Sequence, residues 1–147
     1  MPKDLDHVRS LASKDSLAVA ATTRPDATVH ASLVSAGVLE DPVTGQPCIG
    51  FVAHGSSRKL AHMRKNGRAT VVFRNGADWV AVEGRVRLLG YDDPVEGVGS
   101  GQLAMLLRGV FVAAGGTHQD WDEFDRVMEA DRRTAVLVAP ERISANG

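Results

Sequence analysis

The sequence predicts a mainly β protein: six strands in a small closed or nearly closed antiparallel barrel, with a few helices inserted. Three observations carry this. Six runs of strand length, rich in Val, Ala, Leu and Thr, are spread along the 147 residues. Three turn signals, Arg24-Pro25-Asp26-Ala27, Asp41-Pro42-Val43-Thr44-Gly45 and Asn75-Gly76-Ala77-Asp78, join consecutive runs as hairpins, which argues for an antiparallel meander. Six twisted strands of this length are most easily satisfied by closing on themselves.

Residues 4–13 read as an opening helix, with Asp4 placed to cap it and Leu5, Val8, Leu11 and Ala12 on one face. Residues 17–23 form a first strand and residues 28–39 a second. The two faces of the second strand differ: Val29, Ala31, Leu33 and Ser35 lie on one, His30, Ser32, Val34 and Ala36 on the other. A third strand covers residues 48–53.

The next segment, His54 to Gly67, is a short helix with a signal at each end. Gly55, Ser56 and Ser57 offer an N-cap and Asn66-Gly67 a left-handed C-cap. Its start gathers free backbone N–H groups, a serine hydroxyl, Arg58 and Lys59, which together make an anion site. The plainer reading of the same residues is a capped connector with a solvated basic face.

Residues 68–74 and 79–90 are the fourth and fifth strands, and Gly84 inside the fifth marks a bulge or a sharp bend. Leu103, Leu106, Leu107, Val110, Phe111 and Ala114 then form a wide apolar helical stripe. A further helix starts near Gln119, with Trp121, Phe124, Val127 and Met128 inward, Asp122, Glu123 and Asp125 suiting the dipole at its start, and Arg132-Arg133 at its end. Residues 134–139 are the last strand, which Pro140 stops. Without repeats, linkers or low-complexity segments, residues 1–147 read as one domain.

Composition narrows the function classes. A net charge of −1 gives no support to a nucleic-acid or acidic-membrane partner. No stretch of about 20 apolar residues is present to span a bilayer. Met1-Pro2-Lys3-Asp4-Leu5-Asp6 has no apolar signal core, and Cys48 stands alone in an apolar run, so the expected compartment is the cytoplasm. His54, His62 and His118 lack partners at metal-ligand spacing, so no metal site is expected.

A resemblance adds to this reading. Phe51-Val52-Ala53, then Ser57-Arg58-Lys59, then Asn66 running into a strand, is similar to the phosphate-binding segment of pyridoxamine 5′-phosphate oxidase-like split-barrel flavoproteins. Asp78 to Val86, Arg108 to Phe124 and Ala139-Pro140-Glu141-Arg142 resemble the branch of that superfamily that uses the deazaflavin coenzyme F-420. The resemblance runs in order along nearly the whole chain. It implies a six-stranded split barrel that forms a homodimer, with a cofactor in each of two grooves at the interface. Ser57, Arg58 and Lys59 would hold the cofactor phosphate. The stretch His30 to Ser35, including Ser32, would run beneath the isoalloxazine-type ring, and Trp79 would come from the partner subunit.

The departures matter equally. The oxidases carry Arg-x-x-Leu-Leu-Lys on strand two, where this chain has His30-Ala31-Ser32-Leu33-Val34-Ser35; their C-terminal Arg-Leu-x-Pro segment is also missing. Oxidation of pyridoxamine phosphate is therefore rejected. The resemblance implies an F-420-dependent reductase that delivers a hydride to a conjugated small-molecule substrate, the cofactor performing the hard step. FMN is the alternative cofactor, and a non-catalytic carrier of F-420, flavin or haem the alternative function. His30 is the best-placed candidate proton donor, although an interior histidine is more often a structural hydrogen-bonding group.

Overall fold

The computed structural model of the chain describes residues 2–146, with side chains from Leu5 onward. In chain order the elements are α1 (Pro2–Lys14), β1 (Leu17–Thr23), β2 (Val29–Glu40), β3 (Pro47–Ala53), α2 (Arg58–Asn66), β4 (Arg68–Asn75), β5 (Asp78–Gly90), α3 (Ser100–Ala113), α4 (Trp121–Ala130), β6 (Thr134–Val138) and β7 (Arg142–Ala145). Helix α1 already includes Asp4, so that residue is not its N-cap; the Asp4 side chain lies outside the described residues.

Strands β4, β1, β2, β3, β6 and β5 are neighbours in that order, every pair antiparallel, and β4 pairs with β5 to close the ring. The six-stranded antiparallel barrel expected from the alternation is the observed one. A seventh strand departs from the expectation that the sheet ends at Pro140. Arg142–Ala145 pairs with Val80–Glu83 of β5, on the same edge that β6 occupies further along. Ile143 is its one large apolar side chain, so its strand conformation comes from the free edge of β5 rather than from its own pattern.

Where β6 gives way to β7, Gly84 and Arg85 of β5 face three residues, Ala139, Pro140 and Glu141. That is a bulge on the partner strand. It accommodates Pro140, which has no N–H to give, and a Cβ on residue 84 would overlap the Ala139 carbonyl.

The barrel interior is filled by Ala18, Ala20, Phe51, Val71, Phe73, Val80, Val82, Val136 and Val138. Leu5, Val8 and Leu11 of α1 and Leu60 and Met63 of α2 complete that core. A second core lies outside the barrel, where Leu103, Leu107 and Val110 of α3 and Phe124 of α4 cover Cys48, Leu89, Ala135 and Leu137. Strand β6 is thus buried on both faces, which is why it reads as an unbroken apolar run. Burial also pushes the Cys48 thiol up to about 12, leaving it an inert packing group. Helix α4 starts two residues later than expected, with Asp120 as N-cap accepting from the Glu123 N–H at 3.1 Å. Val127, expected inward, is 44% exposed, because the helix packs along Trp121, Phe124 and Met128 only.

Candidate functional site

The site grows from the connection between β3 and α2. Ser57 occupies the N-cap position with extended backbone, yet its side chain makes no capping bond. The neighbouring hydroxyl is the occupied one: Nδ1 of His54 accepts from the Ser56 N–H at 3.2 Å and lies 2.9 Å from Ser56 Oγ. The Ser57 Oγ is left buried with no partner. A buried hydroxyl at a helix start, among N–H groups that the helix cannot satisfy, has the donors that suit an anion. Leu60 and Met63 fix the helix to the barrel, and Gly67, at φ 71°, ends it with its N–H on the Met63 carbonyl at 2.8 Å.

A second cation arrives from the other end of the chain. The last β3–β6 pair is Ala53 with Thr134, which brings Arg133 alongside the loop that leads into α2. That loop is tied down by the Gly55 N–H on the Asp131 carbonyl at 3.1 Å. Arg132 adopts a left-handed φ of 52° and is held by Asp92 and the Tyr91 carbonyl, so the chain turns sharply out of α4 into β6. Arg133 reaches Asp131 at 3.3 Å, while its Nε is buried with no partner.

Ser57, Lys59 and Arg133 line one cavity of about 420 Å³. Ser35 and His54 also line it, and its remaining walls are apolar, Val34, Val110, Phe111, Phe124 and Met128 among them. Burial first, and then the positive charge of Arg133, hold the Lys59 ammonium below the ordinary lysine range. Two cations and an unpartnered hydroxyl facing an apolar slot suit a ligand with an anionic end and a flat, uncharged body.

Helices α3 and α4 supply much of the apolar wall. Gly37 of β2 has no side chain, and the Ala113 carbonyl of α3 occupies the space a Cβ would take. Arg108 of α3 donates to both carboxylate oxygens of Asp125 and stacks over Trp121 with 5.4 Å to the ring centroid, joining α3 to α4. Phe111, His118, Trp121 and Phe124 form a cluster of edge-on and tilted rings behind the cavity.

The residues singled out from sequence divide into groups. Ser57 and Lys59 line the cavity; Arg58 is exposed and does not. His30 and Ser32 are on the inward face of β2 but not in the cavity lining, and His30 Nδ1 and Ser32 Oγ are both buried without partners. The His30 ring lies 5.4 Å from that of His62, whose Nδ1 is 2.9 Å from Thr22 Oγ1. Burial first, then Arg24, His62, Lys59 and Arg58, lower the basicity of His30. Trp79 stands apart at the start of β5, 37% exposed, with its backbone N–H on Asn146 Oδ1 at 2.9 Å. Sequence reasoning missed Arg133, which reads there as a helix-ending charge. Only the Ala53–Thr134 register shows its second use.

The outer face of the barrel carries an apolar patch. Val19 is opposite Leu33, and Thr23 opposite Val29, on one side of the β1–β2 pair. Leu17, Val19, Val29 and Leu33 are 47, 39, 63 and 64% exposed there, a grouping that single-chain burial does not explain.

Comparison with known proteins agrees with this architecture. The profile of the family described as pyridoxamine 5′-phosphate oxidase matches residues 5–147. No curated protein matches. Among solved structures, a conserved hypothetical protein from Mycobacterium tuberculosis superposes with a TM-score of 0.69 at 18% identity, over 95% of this chain and 82% of that one. An F-420 reductase superposes with a TM-score of 0.61 at 18% identity, over 92% of this chain and 94% of that one. A heme-binding protein from Mycobacterium smegmatis gives 0.67 at 15% identity, over 100% of this chain and 55% of that one. At these identities the likeness is one of fold.

Proposed function

Because the chain belongs to the pyridoxamine 5′-phosphate oxidase family, we propose that its cavity binds a flavin-type cofactor and that the protein is an oxidoreductase using coenzyme F-420. The observation that carries the cofactor reading is the unpartnered Ser57 hydroxyl beside Lys59 and Arg133 at the cationic end of a largely apolar slot. The preference for F-420 over FMN rests on the resemblance of the Arg108-to-Phe124 segment. The residues of β2 that replace the oxidase charges, His30 and Ser35, are weakly basic and uncharged, which speaks against pyridoxamine phosphate as substrate.

Ser57 Oγ would donate to the cofactor phosphate at the start of α2, and Lys59 and Arg133 would neutralise it. Val110, Phe111, Phe124 and Met128, which line the cavity, would keep water from a bound cofactor, and Leu33 and Val34 of β2 would help to hold it. When bound, a deazaflavin supplies a two-electron hydride, so the protein needs to orient and shield rather than to provide a nucleophile. The lowered basicity of His30 favours hydrogen bonding as a neutral ring over proton donation at neutral pH. The exposed patch of Leu17, Val19, Val29 and Leu33 supports assembly as a homodimer, in which Trp79 of one subunit would approach the groove of the other.

The test is a melting panel with F-420, FMN, FAD and haem, followed by titration of Lys59→Ala. A ligand at 100 times its Kd stabilises by about 2.7 kcal/mol, so the true cofactor stands out. F-420 is expected to give the largest shift, and Lys59→Ala to weaken its binding by roughly 1.5–3 kcal/mol. Yellow protein that keeps stoichiometric FMN through dialysis overturns the choice of cofactor. Equal affinity in Lys59→Ala returns α2 to a capped connector.

A further inference from the structure

One carboxylate, that of Asp131, reaches two residues that line the cavity. Its Oδ2 accepts from Arg133 Nη2 at 3.3 Å, and its Oδ1 lies 3.8 Å from His54 Nε2. Asp131 caps the end of α4 and is half-buried, outside the lining itself. Its backbone carbonyl, on the Gly55 N–H, does separate work in holding the loop before α2.

The lining contains no carboxylate, and its titratable side chains are His54, Lys59 and Arg133. The residues that β2, β3, α3 and α4 give to it all lack charge. A backbone N–H can only donate, so the 3.2 Å bond from the Ser56 N–H makes His54 Nδ1 an acceptor. The ring is then the neutral tautomer with its proton on Nε2, toward Asp131. Arg58 is exposed and outside the lining, where water and salt screen it. Two cations and one carboxylate leave the site a net charge of +1.

Desolvation and attraction weigh that charge differently. Taking an ion out of water costs energy as the square of its charge, whereas its attraction to a fixed site grows only in proportion. A largely apolar slot of net +1 therefore matches a singly charged phosphate and is too weakly positive for a doubly charged one. A phosphodiester carries one negative charge, while a phosphomonoester, with a second pKa of about 6, carries nearly two at neutral pH.

We infer that Asp131, acting through Arg133 and His54, sets this site to select a phosphodiester over a phosphomonoester. The inference rests on the reading of the cavity as a cofactor phosphate site and names the class of phosphate it takes. Asp131 is a positioning residue here, since the ligand meets Lys59 and Arg133 and not the carboxylate.

Two ligand pairs that differ by one charge test it: a deazaflavin ribityl phosphate with its phosphate methyl ester, and phenyl phosphate with methyl phenyl phosphate. Wild type, Asp131→Asn and Asp131→Glu are titrated at about pH 8 and about pH 5, either side of the second phosphate pKa. Fluorescence reads the deazaflavins and NMR the phenyl compounds. Wild type is expected to prefer each diester by about tenfold at the higher pH, the scale of one partly screened charge. The preference should vanish at the lower pH, where the monoester is singly charged and any charge on His54 acts on both esters alike. Asp131→Asn keeps the backbone carbonyl that holds Gly55. It should erase the preference at the higher pH by strengthening monoester binding, and Asp131→Glu should restore it. If Asp131 only holds Arg133 in place, the Asn variant weakens both esters equally, which overturns the inference. Equal affinity of wild type for both esters at the higher pH overturns it as well. Selectivity within the phenyl pair without deazaflavin binding supports the charge rule and removes the cofactor reading; binding of none of the four removes both.

Discussion

Gly37 and Ala113 meet backbone to backbone: the Ala113 carbonyl lies where a side chain on residue 37 would have to stand. Helix α3 is therefore keyed onto β2 by a missing methyl group, and with it the apolar wall of the cavity. Gly37→Ala is expected to force the last turn of α3 outward and to cost about 1–3 kcal/mol, as overpacking does. For a chain of this size that is a fall in Tm of about 2–4 °C per kcal/mol, read by calorimetry. Cofactor affinity should fall with it, because Val110, Phe111 and Ala114 move together.

Ser57→Ala gives an unusual combination. Replacing an N-cap serine ordinarily costs roughly 1 kcal/mol of stability. Here the hydroxyl makes no capping bond, so urea denaturation of the unliganded protein should barely change, while cofactor affinity drops. A substantial loss of stability with full affinity would show that the hydroxyl serves the helix and not a ligand.

Lys59 sets a pH dependence whose sign is fixed. Its folded-state pKa is lowered by burial and by Arg133 from an unfolded value of 10.5. Between the lowered value and 10.5 the unfolded chain binds more protons, so stability of the unliganded protein rises with pH across that window and is depressed below it. Lys59→Met should flatten this alkaline rise and raise stability at neutral pH, in chemical denaturation followed at several pH values. A wild-type curve that falls across the window contradicts it.

Leu33 and Val19 lie side by side on the outer face of the barrel. With Leu33 at 64% exposed, Leu33→Asp should leave the monomer fold intact and place a charge at the centre of the apolar patch. Sedimentation velocity is expected to show a wild-type dimer and a monomeric variant. A monomeric wild type at micromolar concentration, with affinity for the cofactor intact, removes the dimer from the account.

The barrel was legible because its information is local. The inward and outward residues of β2 follow the two-residue period directly, and proline, glycine and asparagine mark the hairpins. The start of α2 was legible for the same reason, since Ser57, Arg58 and Lys59 are consecutive. β7 was not, because a strand with Ile143 as its one large apolar residue takes its conformation from the edge it joins. Arg133 was not, because its neighbour Lys59 is distant in the chain and only the β3–β6 register brings them together. Val127 fell outside because a periodicity fixes a stripe but not how wide a surface awaits it.

The position of β6 also bears on how the chain is made. Thr134–Val138 fills the gap between β3 and the second half of β5, and nothing else in the described ring can take its place. A nascent chain that has released everything through α4 still holds two bare strand edges, those of β3 and of the second half of β5. Pairing must then bridge from Ala53 to Thr134, a distant contact of the kind that slows folding. Thr134–Val138 thus converts an open, self-adhesive sheet into a sealed one, and chains that stop short of Thr134 should be recovered as aggregates.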